Sequence, residues 1–316
     1  MCDLQGKYGG KPMKKIFFFV AMSIGSIAMC LGAHDLTLLE KFVARYAPPA
    51  DVIELLEKYK EQVLKIDKRG SLKELPNFFI KTADTSPRFR SHLLHRVVNA
   101  ERLRRFIAQH RLTRLDVAKK YIYKLEGIWI NKGTCVVRLD GKWIVLAEKI
   151  NFKPQQLELS LQEVQQLAVV AEKALYRDWG FARAIEDGKK YAGNNWVRSE
   201  KTGKLVCIDT EDRSFEAGEG NDLSGRSLSD VFGYLYDALS DHCSTSFKTR
   251  RWLRKYKKSK RYVSSGLSLN RSTMFDDADI DFEEVKRQWA IECREFREEQ
   301  ERLRKIQPDV CASAVK

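Results

Sequence analysis

Metal, disulfide and hydrolytic chemistry have little to work with in this chain. Of its seven cysteines, Cys2 and Cys30 lie near the N-terminus, while Cys135, Cys207, Cys243, Cys293 and Cys311 are widely scattered. An odd, scattered set is neither a disulfide framework nor a zinc spacing. One disulfide is allowed in an oxidising compartment, but spacing assigns no pair. Cys135 and Cys207 fall in apolar strand patterns and are expected as buried core thiols. The five histidines, His34, His92, His95, His110 and His242, show no metal spacing. His92 and His95, three apart near a helix start, read as ordinary surface or core residues. No G-x-S-x-G and no Ser-His-Asp arrangement is present, so a hydrolase has no support. No internal repeat is visible, which sets aside solenoids and propellers.

What is present is charge and a sizeable apolar fraction. The 316 residues are 43% hydrophobic, 10% aromatic and 32% charged, enough for one large or two modest domains with a real core. The net charge of +14 favours anionic partners such as nucleic acid, phosphate compounds or a membrane surface.

The N-terminus carries a targeting pattern. Lys14 and Lys15 precede the apolar run from Ile16 to Ala33, which ends in Leu31-Gly32-Ala33 ahead of His34. A positive start, a short apolar middle and a small residue at the cut make residues 1–33 a secretory signal peptide, with Met13 as an alternative start. An uncleaved membrane anchor through residues 16–33 is the alternative. Met29 before Cys30 argues against lipid attachment, which needs a small residue there. Periplasm, envelope or the exterior is the expected location, and the mature chain keeps a charge near +11.

Helical spacing runs from His34 to Lys68, interrupted at Ala47-Pro48-Pro49. Pro76-Asn77-Phe78-Phe79-Ile80-Lys81 reads as a strand with a lysine at its end. Asn99 to Gln109 is an amphipathic helix with Glu101 in its first turn and Arg102, Arg104, Arg105 and Arg111 giving a basic solvent face. Lys119 to Leu125 alternates as a strand. Ile128–Ile130, Cys135–Leu139 and Trp143–Ala147 follow, separated by Asn131-Lys132-Gly133 and Asp140-Gly141, where glycine is expected to supply positive φ for hairpin turns. An antiparallel sheet with one inserted helix is predicted. Leu159 to Tyr176 is then a long helix, Arg177 to Asn195 a long polar loop, and Ser227 to Leu239 another helix.

Between those helices lies the stretch from Asn194 to Glu211. Trp196 and Val197 form a short strand, Thr202-Gly203 a turn, and Leu205-Val206-Cys207-Ile208 a strand suited to burial on both faces. An amide before the hairpin and an acidic cluster after it are expected at one end of it, offering the oxygen ligands that magnesium prefers. A surface hairpin with polar ends is the plainer alternative.

In this order the elements resemble the protein-kinase-like fold, over roughly Pro76 to Leu239. Phe78-Phe79-Ile80-Lys81 looks like the strand motif whose lysine grips the nucleotide phosphates, and Glu101 stands where the helix glutamate pairs with that lysine. Trp143-Ile144-Val145-Leu146-Ala147-Glu148-Lys149-Ile150 looks like the strand and hinge that hold adenine, through Glu148 and Ile150. Asn195 matches the catalytic-loop asparagine, and Asp209 the metal-binding aspartate of the D-F-G motif. Ser229-Asp230-Val231-Phe232-Gly233 resembles the start of the large-lobe helix. The resemblance implies an α+β, two-lobed protein: a small antiparallel-sheet lobe with one helix over 71–150 and a larger, mainly helical lobe over 151–262. A helical segment at 34–70 precedes them and a charged helical tail at 263–316 follows. ATP and magnesium are the implied cofactors, and phosphate transfer to a hydroxyl of a protein or small molecule the implied activity.

The chain also departs from that pattern. No G-x-G-x-x-G precedes Lys81, Thr210-Glu211 replaces Phe-Gly after Asp209, and position 190, where the catalytic aspartate should stand, is a lysine. Asp187 or Asp178 becomes the base only if the loop is an insertion. The alternative is a catalytically inactive pseudokinase, a binding scaffold that uses its basic surface for a partner. A third reading makes the resemblance accidental. Lys248 to Arg261 holds nine basic residues with Trp252 and Tyr256 interleaved, suited to phosphates, stacked bases or anionic lipid. A solvated helix face paired with the acidic stretch Asp276 to Glu284 is favoured over these; of partners, a nucleotide, a protein or an anionic membrane is expected before nucleic acid. Glu283 to Lys305 reads as a charged helix with little apolar face, packed edge-on or standing in solvent.

Overall fold

Proline has no amide to donate, and Pro48-Pro49 divides the helices at the start of the fold. Leu38–Arg45 (α1) precedes the break, and Ala50–Lys58 (α2) and Lys60–Leu64 (α3) follow it. The structure is a computed structural model describing residues 37–82, 87–132, 135–153, 155–174, 176, 179–181, 195–210, 228–260 and 281–306. The proposed signal segment 1–33 lies outside these residues. From Leu38 onward the chain forms one compact unit.

Arg69–Gly70 (β1) pairs antiparallel with Phe78–Thr82 (β2). Pro87–Gln109 (α4) follows, then Leu115–Val117 (β3) and Lys120–Leu125 (β4). Ile128–Lys132 (β5) and Cys135–Leu139 (β6) form a separate hairpin. Lys142–Glu148 (β7) returns to the first sheet and pairs antiparallel with β2 on one side and β4 on the other, giving the order β1-β2-β7-β4.

The alternation along β7 explains the helices around it. Trp143 and Val145 enter one apolar cluster with Ile122, with Leu39 and Phe42 of α1 and with Leu93, Leu94, Val97 and Val98 of α4. Ile144 and Leu146 enter another with Ile80 and with Val52, Leu56 and Val63 of α2 and α3. A strand with period 2 thus buries both faces.

The second half begins with Leu157–Leu159 (β8) and Leu161–Lys173 (α5). Ser160 caps α5 in a capping box with Glu163, which ends the preceding strand at Leu159; the expected helix from Leu159 to Tyr176 is shorter at both ends. Trp196–Arg198 (β9) and Leu205–Cys207 (β10) form the expected hairpin, with Gly203 at φ 67° in its turn. β3 adds to β10 in parallel. Leu228–His242 (α6) leads to Cys243–Thr245 (β11), which pairs in parallel with β8. Phe247–Lys260 (α7) and Phe282–Ile306 (α8) complete the described chain. The largest apolar cluster joins the C-terminal half of α4 (Ala100, Leu103, Phe106, Ile107) to α5, α6, β9 and β10. Among the described residues the fold is mixed α+β, with eight helices and small, mainly antiparallel sheets. No helix among them is long and apolar enough to cross a membrane.

Two expectations are corrected and one pair of alternatives is decided. α4 begins at Pro87, twelve residues before Asn99, because Leu93, Leu94, Val97 and Val98 continue its buried stripe and proline fits a first helical turn. Glu101 is therefore mid-helix. β6 and β7 belong to different sheets, and Gly141 between them has no positive φ. Glycine is needed there for close approach: a Cβ would meet the Leu125 carbonyl oxygen at 2.6 Å. Of the two alternatives for α8, packed edge-on or standing in solvent, it is packed. Val285, Trp289 and Cys293, spaced by four, bury a narrow stripe against α1, α4 and Trp143, whose indole packs on Trp289 at 4.6 Å. A one-residue-wide stripe suffices because both neighbouring helices offer apolar faces.

Candidate functional site

The sheet register places two lysines on one face. Lys81 of β2 stands opposite Val145 of β7, and Lys120 of β4 stands opposite Ala147, two residues further along. Residues two apart share a face, so both lysines lie on the side of β7 covered by α4. From α4 comes Arg96. The hairpin supplies the counter-charge: the run of β10 ends at Cys207, and Asp209 follows two residues later.

Lys81 Nζ donates to Asp209 Oδ1 at 3.1 Å across 128 residues of chain. Arg96 Nη1 donates to the same oxygen, and Lys120 Nζ lies 3.8 Å from it. Lys120 is wholly buried and donates to the Thr210 hydroxyl at 2.7 Å; that hydroxyl in turn donates to the Arg96 carbonyl at 2.8 Å. Thr210, in the place of the expected phenylalanine, thus ties the end of the hairpin to α4 and β4. Cys207 is a buried free thiol that donates to the Asp209 carbonyl.

Burial and charge oppose one another here. Burial alone pushes the Asp209 carboxyl up, but Lys81, Lys120 and Arg96, with the hydrogen bond from Lys81, hold it below the ordinary carboxylate range. Burial drives the Lys120 ammonium down to about 7; Asp209 resists the fall and Lys81 adds to it. An ammonium taken out of water costs several kcal/mol, roughly, unless it is paired and hydrogen-bonded, and Asp209 with Thr210 supplies that pairing.

The residues expected at the site divide into three sets. Lys81 and Asp209 are brought together, and Asn195 sits beside them in the chain order of the hairpin, its carbonyl accepting from the Ile208 amide at 2.8 Å. Glu101 is engaged elsewhere: it pairs with Arg104 and, at 3.1 Å, with Arg105 on its own helix. Glu148 ends β7, where its amide donates to the Lys119 carbonyl and its carboxylate accepts from the Lys119 amide. Ile150 packs half-buried against the largest apolar cluster. Asp178, Asp187 and Glu211 lie outside the described residues. Two cations were missed. Lys120 shares the phase of buried Ile122 in its strand, which was a readable signal; Arg96 was hidden because it lies three residues before Asn99, where the helix was expected to begin, whereas the helix begins at Pro87.

Hard cations take several oxygen ligands, usually carboxylates. Asp209 is the one carboxylate acting on Lys120 among the described residues, and its Oδ1 already receives two cations. No group of three or more His, Cys, Asp or Glu gathers among the described residues. Among the described residues, a divalent cation would therefore meet a single carboxylate whose Oδ1 two cations already share.

The second basic region is α7. Its inner face carries Thr249 and Leu253, with Trp252 and Tyr256 stacked at 4.6 Å and packed on the largest cluster. The aromatics are thus turned away from the cations and are not placed to stack on bases. Lys248, Arg250, Arg251, Arg254, Lys255 and Lys258 are exposed, and Phe247 at the tip is 74% exposed. Of the expected acidic counter-stretch, Glu284 pairs with Arg287 in α8; residues 276–280 lie outside the described set. The chain matches no protein-family model, no curated protein and no solved structure.

Proposed function

We propose that Lys81, Arg96, Lys120 and Asp209 form the phosphate-binding end of a nucleotide site on a divergent kinase-like scaffold. The observation that carries this reading is the Lys81–Asp209 contact, made between the end of a sheet strand and the end of a hairpin 128 residues away. Phosphoryl recognition is mostly positioning and charge neutralisation, and a cluster of cations ordered by one carboxylate supplies both. The two-lobed arrangement, with adenine at Glu148 and Ile150, belongs to the same proposal. Transfer of the terminal phosphoryl group to a hydroxyl is its extension and requires Asp187 or Asp178 as base.

The test is thermal stability with ATP. A ligand that binds only the folded state raises the midpoint with its occupancy. Wild type is expected to shift, and Lys81→Met to lose the shift while keeping its helical circular dichroism. No shift of the wild type at millimolar ATP would sink the reading.

The exposed cations and Phe247 of α7 favour a second role for the same chain, a basic surface that rests on anionic membrane. Binding to vesicles rich in phosphatidylserine, absent with phosphatidylcholine alone, is the expected result; equal binding to both would discard it.

A further inference from the structure

A cavity of about 380 Å3 lies where the end of α6, β11 and the first half of α7 meet. α7 puts Arg250 and Arg254 on its wall, one helical turn apart and so on one face of the helix. Ser240 near the end of α6, Ser244 and Thr245 of β11, and Gln156 just ahead of β8 bring hydroxyl and amide groups from other elements. Leu239 and Leu253, both buried, supply apolar wall. No carboxylate lines the cavity among the described residues. Asp237 of α6 lies 3.9 Å from Lys257, and neither residue belongs to the lining. Like charges four apart on a helix repel, so an anion between Arg250 and Arg254 relieves an opposition that the helix itself sets up.

We infer that this cavity takes the phosphorylated polyol headgroup of an anionic lipid. The inference rests on the membrane-surface reading of α7. A guanidinium is a planar fork of donors that fits phosphate oxygens, and two forks on one helix face hold one phosphate between them. A carboxylate has two oxygens in one plane, whereas a phosphomonoester has three terminal oxygens, which also accept from the hydroxyls of α6 and β11. The volume is that of a small-molecule site, with room beyond the phosphate for a polyol whose hydroxyls donate and accept as those of the cavity do. Arg250 and Arg254 also border a second hollow on α7, together with Phe247, Arg251, Lys255 and Lys258. A phosphate held by the two arginines therefore has the rest of its molecule beside a basic face and an exposed phenylalanine, the surroundings that a headgroup and its acyl chains provide. The cations of α7 attract any anionic surface collectively, and the cavity selects the headgroup.

The deciding measurement is binding of the full chain to phosphatidylcholine vesicles that carry either phosphatidylserine or a phosphatidylinositol monophosphate, matched in total negative charge. Roughly tenfold tighter binding to the phosphoinositide is expected, the gain of about one charge-assisted hydrogen bond. Ser244→Val, which replaces a cavity hydroxyl by methyl groups and keeps a strand former in β11, is expected to abolish the preference while binding phosphatidylserine as wild type does. A preference that survives in this variant would contradict the inference. Equal binding of wild type to both vesicles overturns it and leaves the membrane-surface reading standing. In that event, capture of soluble inositol bisphosphate by wild type and not by Ser244→Val would assign the cavity to a free sugar phosphate in place of a lipid. No binding to either vesicle overturns both readings. The wild-type pair of affinities decides without recourse to a variant that fails to fold.

Discussion

The protein has two basic regions built from the same side chains in opposite surroundings. At Asp209 the cations are few and partly or wholly buried: Lys81 and Arg96 keep 22% and 17% of their side-chain exposure, and Lys120 keeps none. On α7 they are many and face water. The counting of lysines and arginines would rank α7 first. Burial reverses the ranking, because a charge in water is screened by solvent and salt, whereas a buried one must be answered by a specific partner. The Asp209 cluster is therefore a constrained arrangement of specific partners, and α7 is a solvated face whose effect is collective and electrostatic.

The comparison is broken most directly by Asp209→Asn. Removing the carboxylate that Lys81 and Arg96 share breaks a partly buried ion pair, and a loss of roughly 3–5 kcal/mol is expected, read from urea unfolding. A loss as small as that of a surface substitution would show that the cations are as well solvated as those of α7. Excess phosphate should return part of the lost stability, since an anion replaces the missing charge.

A smaller effect is expected from Lys120. Its ammonium falls from 10.5 to about 7 on folding, mainly through burial. Between those values the unfolded chain holds a proton that the folded chain has released, so stability rises with pH across this window. The difference between wild type and Lys120→Met, measured from pH 7 to pH 10, should therefore grow in favour of wild type, on the order of 2–3 kcal/mol. A flat difference would place Lys120 in contact with water. On the acid side the sign is opposite. Asp209 is held below the usual carboxylate range, so its contribution is complete above the unfolded value and is lost as pH falls through the folded one.

The least effect on stability belongs to α7. Arg250→Ser, Arg254→Ser and Lys258→Ser should each change the unfolding free energy by less than about 0.5 kcal/mol, while the triple variant loses binding to anionic vesicles. A stability loss of several kcal/mol would mean that these side chains have partners like those at Asp209.

How much of this could be read from the sequence follows the same division between periodic and long-range features. β2, β4, β7, the β9–β10 hairpin and most of α5 announce themselves through alternation, turn residues or a Ser-x-x-Glu cap. The position of Lys81 at the end of its strand, and of Asp209 after the hairpin, was legible too. β3, with three residues, and the parallel β8–β11 pair were not, because strands so short have no periodicity and their partners lie far along the chain. α8 was legible only as a pair of alternatives, packed edge-on or in solvent: its charges outnumber the apolar stripe Val285–Trp289–Cys293, yet the stripe decides where it packs. Arg96 depended on α4 beginning at Pro87, which only the buried stripe of that half-helix reveals. Glu101 shows the remaining limit. Spacing along a chain allows a pair with Lys81, but two arginines one turn away compete for the same carboxylate.

The measurement closest to the central claim is calorimetric titration of ATP into three full-length proteins: wild type, Lys120→Met and the α7 triple serine variant. The account predicts saturable binding at one site for wild type, undiminished in the α7 variant and at least tenfold weaker in Lys120→Met. Undiminished binding by Lys120→Met, with loss in the α7 variant, would contradict it and make the exposed helix, not the Asp209 cluster, the place where phosphate is held.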